Sequence, residues 1–233
     1  MVGWQGKPLL PPVDLGIRQG DFWAVIGRNG SGKSTWFKTL LGLTPPIAGS
    51  VDWVRTGVAL SYVPQRNDFD PLYPATAWDV VTMGTQRGLG FLWPRHPRAA
   101  RDRVERAFEA AEAVALKHMA FCDLSEGQKQ RVMLARVVAS EPVLALLDEP
   151  TAAMDVRAEE ETLQLIDRLR RQYNMGVVIV SHFLGVAARY AEHVMLVDKE
   201  HQSVRVGPPA EVLSHVDFAT AEALAEARGE AQP

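Results

Sequence analysis

The chain holds one cysteine, Cys122, in 233 residues. A lone thiol excludes an internal disulfide and fits a reducing compartment. No apolar run approaches the roughly 20 residues that cross a bilayer. The opening Met1-Val2-Gly3-Trp4 has no basic segment followed by an apolar core, so it does not read as a secretory signal. Charge of one sign is also missing: the net charge of −3 gives no global positive field for binding nucleic acid. The six histidines are scattered and lack zinc-site spacing, and no internal repeat or long linker is visible. What remains is an ordinary globular composition, 47% hydrophobic and 23% charged. Its length suits one large domain, or one domain with an inserted lobe. Any membrane role would be played from the cytosolic side through a partner.

The most informative stretch is Gly27-Arg28-Asn29-Gly30-Ser31-Gly32-Lys33-Ser34-Thr35. It follows the apolar run Phe22–Ile26 and leads into Trp36-Phe37-Lys38-Thr39-Leu40-Leu41, an order that reads strand, glycine loop, helix. Gly27, Gly32, Lys33 and Ser34 fit the phosphate-binding pattern G-x-x-x-x-G-K-[ST]. Glycines let the backbone turn several N–H groups toward one anion, and the helix adds its positive end. Lys33 then reaches the β- and γ-phosphates, and the Ser34 hydroxyl coordinates Mg²⁺. The loop points to a nucleoside triphosphate.

Along the chain, Val13 to Ile17 alternates as a short strand does, and Val51–Val54 and Val58–Val63 read as two more. The helix after the loop is expected to end near Gly42, before Pro45-Pro46. From Asn67 onward helical periodicity takes over: Ala77 to Met83 is a short helix and Ala99 to Val114 a longer one, with Val104, Ala107, Phe108 and Ala111 on one face. Strand patterns resume at Val143–Leu147, Val177–Val180, Val194–Val197 and Val204–Val206, with helices between. Alternating strand and helix predicts an α/β fold with a largely parallel, doubly wound sheet. The expected division is one domain over 1–233, with 1–66 and 140–233 as an α/β core and 67–139 as an inserted helical lobe. Ala219–Ala231 reads as a peripheral helix.

Three further stretches carry chemistry. Val143–Leu147 ends in Asp148-Glu149-Pro150, placing acids where ligands of parallel sheets sit. Beside the phosphate loop, Asp148 would hold the Mg²⁺ shell and Glu149 would polarise a water for attack on the γ-phosphate. Val177–Val180 leads to Ser181-His182, which puts a histidine at a strand tip in reach of that phosphate. In Leu124-Ser125-Glu126-Gly127-Gln128, Ser125 and Gln128 form an S-x-x-Q capping box. The same capped end is also an anion-binding device.

Taken together, the phosphate loop, Gln65 after Tyr62-Val63-Pro64, Leu124–Gln128, Leu147–Pro150, Ala152-Ala153-Met154-Asp155 and Ser181-His182 resemble the ATP-binding subunits of ABC transporters. The elements stand in family order over nearly the whole chain. The resemblance implies a P-loop NTPase core, an antiparallel β subdomain and an α-helical lobe. It also implies ATP and Mg²⁺ as cofactors. The phosphates and metal would be gripped by Gly27, Asn29, Gly30, Ser31, Gly32, Lys33, Ser34 and Thr35. Gln65 and Asp148 would join Ser34 at the metal. Glu149 would be the general base and His182 the switch histidine. Asp155 would be the D-loop aspartate, and Trp4, 29 positions before Lys33, would stack on adenine. The family works as a head-to-tail dimer, so Ser125, Gly127 and Gln128 would serve the partner copy's nucleotide. A membrane permease would be contacted near Gln65 and the helical lobe, a solute-binding protein would belong to the same system, and nucleic acid would play no part. The place implied is the cytoplasmic face of the cell membrane.

Two departures from the family pattern stand out: Glu126 occupies a usual glycine, and only three residues precede Trp4 where a strand is usual. The carboxylate of Glu126 is expected to point away from the phosphates, and either the start is truncated or the outer antiparallel sheet is one strand short. Tyr62–Arg66 with Asp70, Pro74, Ala77, Asp79-Val80-Val81 and Met83-Gly84 is most similar to importers of zinc, manganese, iron or metal chelates. Trp78, Leu89, Phe91, Leu92 and Trp93 either dock a partner or pack within the lobe. Arg95, Arg98, Arg101, Arg103 and Arg106 form a basic cluster, and Cys122 reads as a small packing residue. The alternatives are a soluble ABC-type ATPase of DNA repair or translation, an exporter ATPase, or an unrelated P-loop kinase or GTPase.

Overall fold

A computed structural model of the protein describes residues 1–4, 7–54, 57–65, 75–86, 98–152, 154–181, 185, 189–198 and 201–214. Its centre is strand β3 (Phe22–Gly27), in which all six residues are buried. A strand so apolar needs cover on both faces, which parallel sheets supply. Two short strands, β1 (Gly3–Trp4) and β2 (Lys7–Pro8), pair antiparallel outside the main sheet. After β3 come helix α1 (Lys33–Leu40), β4 (Leu60–Val63), α2 (Ala77–Met83), α3 (Arg98–Ala110) and α4 (Glu126–Ala139). The chain continues through β5 (Leu144–Asp148), α5 (Val156–Tyr173), β6 (Gly176–Ser181), β7 (His193–Asp198), β8 (Ser203–Gly207) and α6 (Pro209–Leu213).

The six-stranded sheet runs β4-β5-β6-β3-β7-β8, parallel throughout except for the antiparallel β7–β8 pair. Strand order reverses at β3, so the C-terminal ends of β3, β5 and β6 open onto one crevice, where ligands of such sheets bind. Helices cover both faces. Trp23, Val25, Leu146 and Val180 pack with Trp36 and Phe37 of α1 on one side. On the other, Ala145, Leu147, Val177 and Ile179 pack with α4 and α5. Fully burying a side chain such as Phe37 contributes about 1.5–3 kcal/mol.

Helix α2 spans the residues expected of it, and Thr76 closes its start in a capping box with Asp79. Val104, Ala107, Phe108 and Ala111 are all fully buried. Helix α3 nevertheless stops at Ala110, short of the expected Val114. Glu112 adopts φ 55° and Ala113 N–H turns back to Phe108 O at 2.9 Å. This is a left-handed helix stop without the usual glycine.

Two expected strands are absent. Val13, Leu15 and Ile17 do pack against the α1-side core, but residues 11–18 join no ladder. Their alternation reports which side faces the core, not pairing. Val51–Val54 forms no strand either, and Val54 is fully exposed. Cys122 is exposed, so it is not the packing residue expected. Trp78 of α2 stacks on Phe108 of α3 at 6.0 Å, while residues 89–93 and Arg95 lie outside the described set. Arg103 pairs with Glu141, and Arg98, Arg101 and Arg106 are exposed.

Candidate functional site

The loop after β3 is shaped by small residues. A Cβ on Gly27 would stand 2.6 Å from Val197 O, and Gly30 and Gly32 hold φ of 73° and 99°. Gly32 caps α1 without a side chain, and no acid stands in the helix's first turn. The first-turn N–H groups and the positive helix end are therefore left for an anion. Arg28, Asn29 and Gly30 are exposed beside them, with Ser34 exposed and Thr35 half-buried at the helix start. The buried Ser31 Oγ has no hydrogen-bond partner among the described residues. Lys33 is only 5% exposed, and its ammonium donates to Gly27 O at 2.6 Å and Arg28 O at 2.9 Å. Burial pushes its pKa down, while the charges of Glu149 and Asp148 oppose that shift.

Strand β5 delivers the acids. Asp148 is 4% exposed, and its carboxyl is pushed up chiefly by burial, with the Glu149 charge adding to the rise. A hydrogen bond from Ser34 opposes that rise, as do the Lys33 charge and a hydrogen bond from Tyr62. The Tyr62 hydroxyl donates to Asp148 Oδ2 at 3.4 Å. Glu149 leaves the strand at φ 49°, a conformation that disfavours side chains, and its N–H donates to Val180 O at 3.0 Å. Gln65 Nε2 donates to Glu149 Oε2 at 2.6 Å across 84 positions of sequence. The fold thus brings Lys33, Ser34, Gln65, Asp148 and Glu149 to the ends of three elements. Ser181, buried at the tip of β6, lies between the phosphate loop and Asp148 in strand order. His182 itself lies outside the described residues.

The other expected residues stand elsewhere. Ser125 caps α4 reciprocally: its hydroxyl accepts from Gln128 N–H at 3.3 Å, and Gln128 Oε1 accepts from Ser125 N–H at 2.9 Å. A Cβ on Gly127 would meet nothing within 4 Å. Glu126 ion-pairs with Lys129 on its own helix at 2.8 Å. Asp155 is exposed and caps α5, accepting from Ala158 N–H at 2.8 Å. Trp4 pairs with Lys7 through its backbone, and its side chain lies outside the described set.

Tyr62 was singled out by sequence only as part of a string. The signal for it was strand parity: Tyr62 pairs with Leu146, which shares a sheet face with Asp148 two residues on. Arg136 was missed entirely. Its Nη2 donates to Tyr62 O at 2.7 Å, and nothing in the periodicity of α4 marks it.

A phosphate loop facing an Asp-Glu pair across the tips of parallel strands, with a helical segment between them in sequence, defines a P-loop nucleoside triphosphatase. Comparison with known proteins specifies which kind. The model of the ABC transporter family matches residues 10–152, and the chain belongs to that family as its ATP-binding, ATP-hydrolysing subunit. It is 38% identical to the hemin import ATP-binding protein HmuV of Thermobifida fusca, over 89% of this chain and 74% of that one. Among solved structures it is similar to an inward-facing ABC transporter assigned to the metal-chelate type, with a TM-score of 0.75 and 31% identity, covering 84% of this chain and 74% of that one. It is also similar to a bacterial ABC transporter cassette solved as a dimer, with a TM-score of 0.69 and 28% identity over 86% and 90% of the two chains. These likenesses fit a transport subunit and not the DNA-repair or translation alternative. No helix among the described residues is long and apolar enough to cross a membrane.

Proposed function

We propose that this ATPase drives import of a metal ion or metal chelate through a separate membrane permease. It works as a homodimer on the cytoplasmic face of the cell membrane, in a system that includes a solute-binding protein. The observation that carries the reading is the meeting of Lys33, Ser34, Asp148, Glu149 and Gln65 at one crevice, with Ser125 facing outward on α4. The names of the relatives support the cargo class: one imports hemin and another is of metal-chelate type.

Within the crevice, the N–H groups of Asn29 to Thr35 receive the phosphates and Lys33 exchanges its two carbonyl partners for phosphate oxygens. The hydroxyl of Ser34, the carboxylate of Asp148 and the amide oxygen of Gln65 are hard oxygen donors, the set Mg²⁺ takes. Bound there, Mg²⁺ would neutralise charge on the β- and γ-phosphates. Glu149 accepts a proton as water oxygen bonds to the γ-phosphorus and the bond to the ADP oxygen breaks. Gln65 holds that carboxylate in place. His182, following Ser181, contacts the γ-phosphate, and Trp4 stacks on adenine.

The dimer reading is supported from the start of α4. Arg136 reaches the tip of β4, and Ser125 stands 11 residues earlier, about 16 Å along the helix at 1.5 Å per residue. Nothing among the described residues requires Gly127 to be small. An approaching second copy does, because its triphosphate must come close to the capped helix end. Asp155, exposed at the start of α5, faces the same partner.

The test is reconstitution with the permease and solute-binding protein. ATPase activity should rise with heme, a ferric chelate, Zn²⁺ or Mn²⁺, and stay flat with amino acids and sugars. Stimulation by a metal-free solute alone would refute the cargo assignment.

A further inference from the structure

Tyr62 lies where three functional elements meet. Its hydroxyl reaches Asp148 Oδ2 at 3.4 Å, and its ring meets Phe37 of α1 edge-on at 6.3 Å. Its carbonyl is gripped by Arg136 of α4 at 2.7 Å. Phe37 is fully buried one turn after Lys33, so the ring is pinned against the helix that begins at the phosphate loop. At the level of Arg136 the end of α2 packs closely on α4: a Cβ on Gly84 would fall 2.4 Å from Arg136 O.

We propose that Tyr62 is a positioning residue that orients the Asp148 carboxylate for the metal, with Arg136 tying this alignment to the helix that carries Ser125. The inference rests on the reading of Asp148 as a metal-holding acid. An aspartate has four lone-pair directions, and a carboxylate free to rotate spends little time with the correct one aimed at a cation. Ser34 and Tyr62 hydrogen-bond that carboxyl group from α1 and β4. Such outer partners orient a ligating carboxylate and tune its hold on the metal. A mere packing aromatic would need no hydroxyl, and phenylalanine would serve equally.

The experiment compares full-length wild type, Tyr62→Phe, Asp148→Asn and the double variant. Binding of a non-hydrolysable ATP analogue is measured with Mg²⁺ and with EDTA, and the ratio of the two affinities is the readout. Tyr62→Phe should lower that ratio about tenfold, at the low end for loss of an outer-shell partner. The metal-free affinity and thermal midpoint should stay near wild type. Added to Asp148→Asn, the same change should lower the ratio no further. An unchanged ratio in Tyr62→Phe while Asp148→Asn loses it would overturn the proposal and leave the site reading standing. Equal loss with and without metal would also overturn it, as would a further drop in the double variant. A full ratio in Asp148→Asn would remove the reading of the site, and this proposal with it.

Discussion

The two ends of the proposed nucleotide machinery are built in opposite ways. At the strand tips, Lys33 and Asp148 are 5% and 4% exposed, and neighbours from α1, β4 and β5 constrain them. At the start of α4, Ser125 is exposed; its hydroxyl and N–H bond with Gln128 and its carbonyl accepts from Lys129 N–H, all within four residues. The first half is assembled by the sheet and carries the costs of burial, visible in the raised Asp148 and lowered Lys33 pKa values. The second is assembled by one helix turn and faces outward. A half-site that needs the whole fold can bind by itself; one that needs only a capping box is free to be presented to another copy.

The largest effect should come from the sheet-built half. Glu149→Gln keeps the shape and an oxygen for Gln65 while removing the basic carboxylate. Turnover should fall about 10²–10⁴-fold, the usual worth of a general base. ATP affinity should hold, and ATP should lock the dimer, read by steady-state ATPase and size-exclusion chromatography. Retained turnover would show that the buried half does not perform the proton transfer.

Ser125→Ala should lower turnover about 10²-fold, comparable to losing one pre-organised donor. Loss of the cap should cost about 0.5–2 kcal/mol of stability. ATP affinity of the mutated chain should be spared. Mixing it with Lys33→Ala, itself inactive, sharpens the contrast. The mixed dimer pairs an intact Lys33 with an intact Ser125 across the interface, so activity should partly return. No recovery would mean that both halves of a site lie on one chain.

The sheet-built half was the more legible in its parts and the less legible in its contacts. The phosphate loop, the acidic strand end and the apolar runs of β3, β5, β6 and β7 announce themselves by local composition, because buried parallel strands must be apolar throughout. The Gln65–Glu149 bond spans 84 positions and depends on β4 lying beside β5, which no local pattern records. At the α4 end the capping box was readable in full, since both of its members lie within four residues. Failures arose where a local signal had two causes. Alternation at Val13, Leu15 and Ile17 came from facing the core without a ladder partner, and α3 stopped at Ala110, ahead of Glu112 in a conformation usually left to glycine.

That same Glu112 gives the smallest expected effect and the finest test of the comparison. Its carboxylate accepts from Arg131 of α4 at 2.6 Å and from Arg168 of α5, bridging α4 to a helix packed on the sheet. The Arg131 hydrogen bond, the largest influence, holds its pKa below the usual 4.5. A depressed carboxylate pKa gives stability that is fully present above the unfolded value and is lost as pH falls through the folded one. The side chain is half exposed, at 50%, so solvent screening limits the gain to under about 1 kcal/mol. Glu112→Gln should therefore lower stability slightly at pH 7 in urea unfolding, less so at high salt. The two proteins should converge once pH falls below the usual carboxylate range and through the lowered native value, where the Glu112 carboxylate is protonated. Turnover should stay within about twofold of wild type if the α4 end is set by its own capping box, since surface changes of this kind rarely exceed 0.5 kcal/mol. A collapse of turnover like that of Ser125→Ala would show instead that the outward half depends on the core through Glu112.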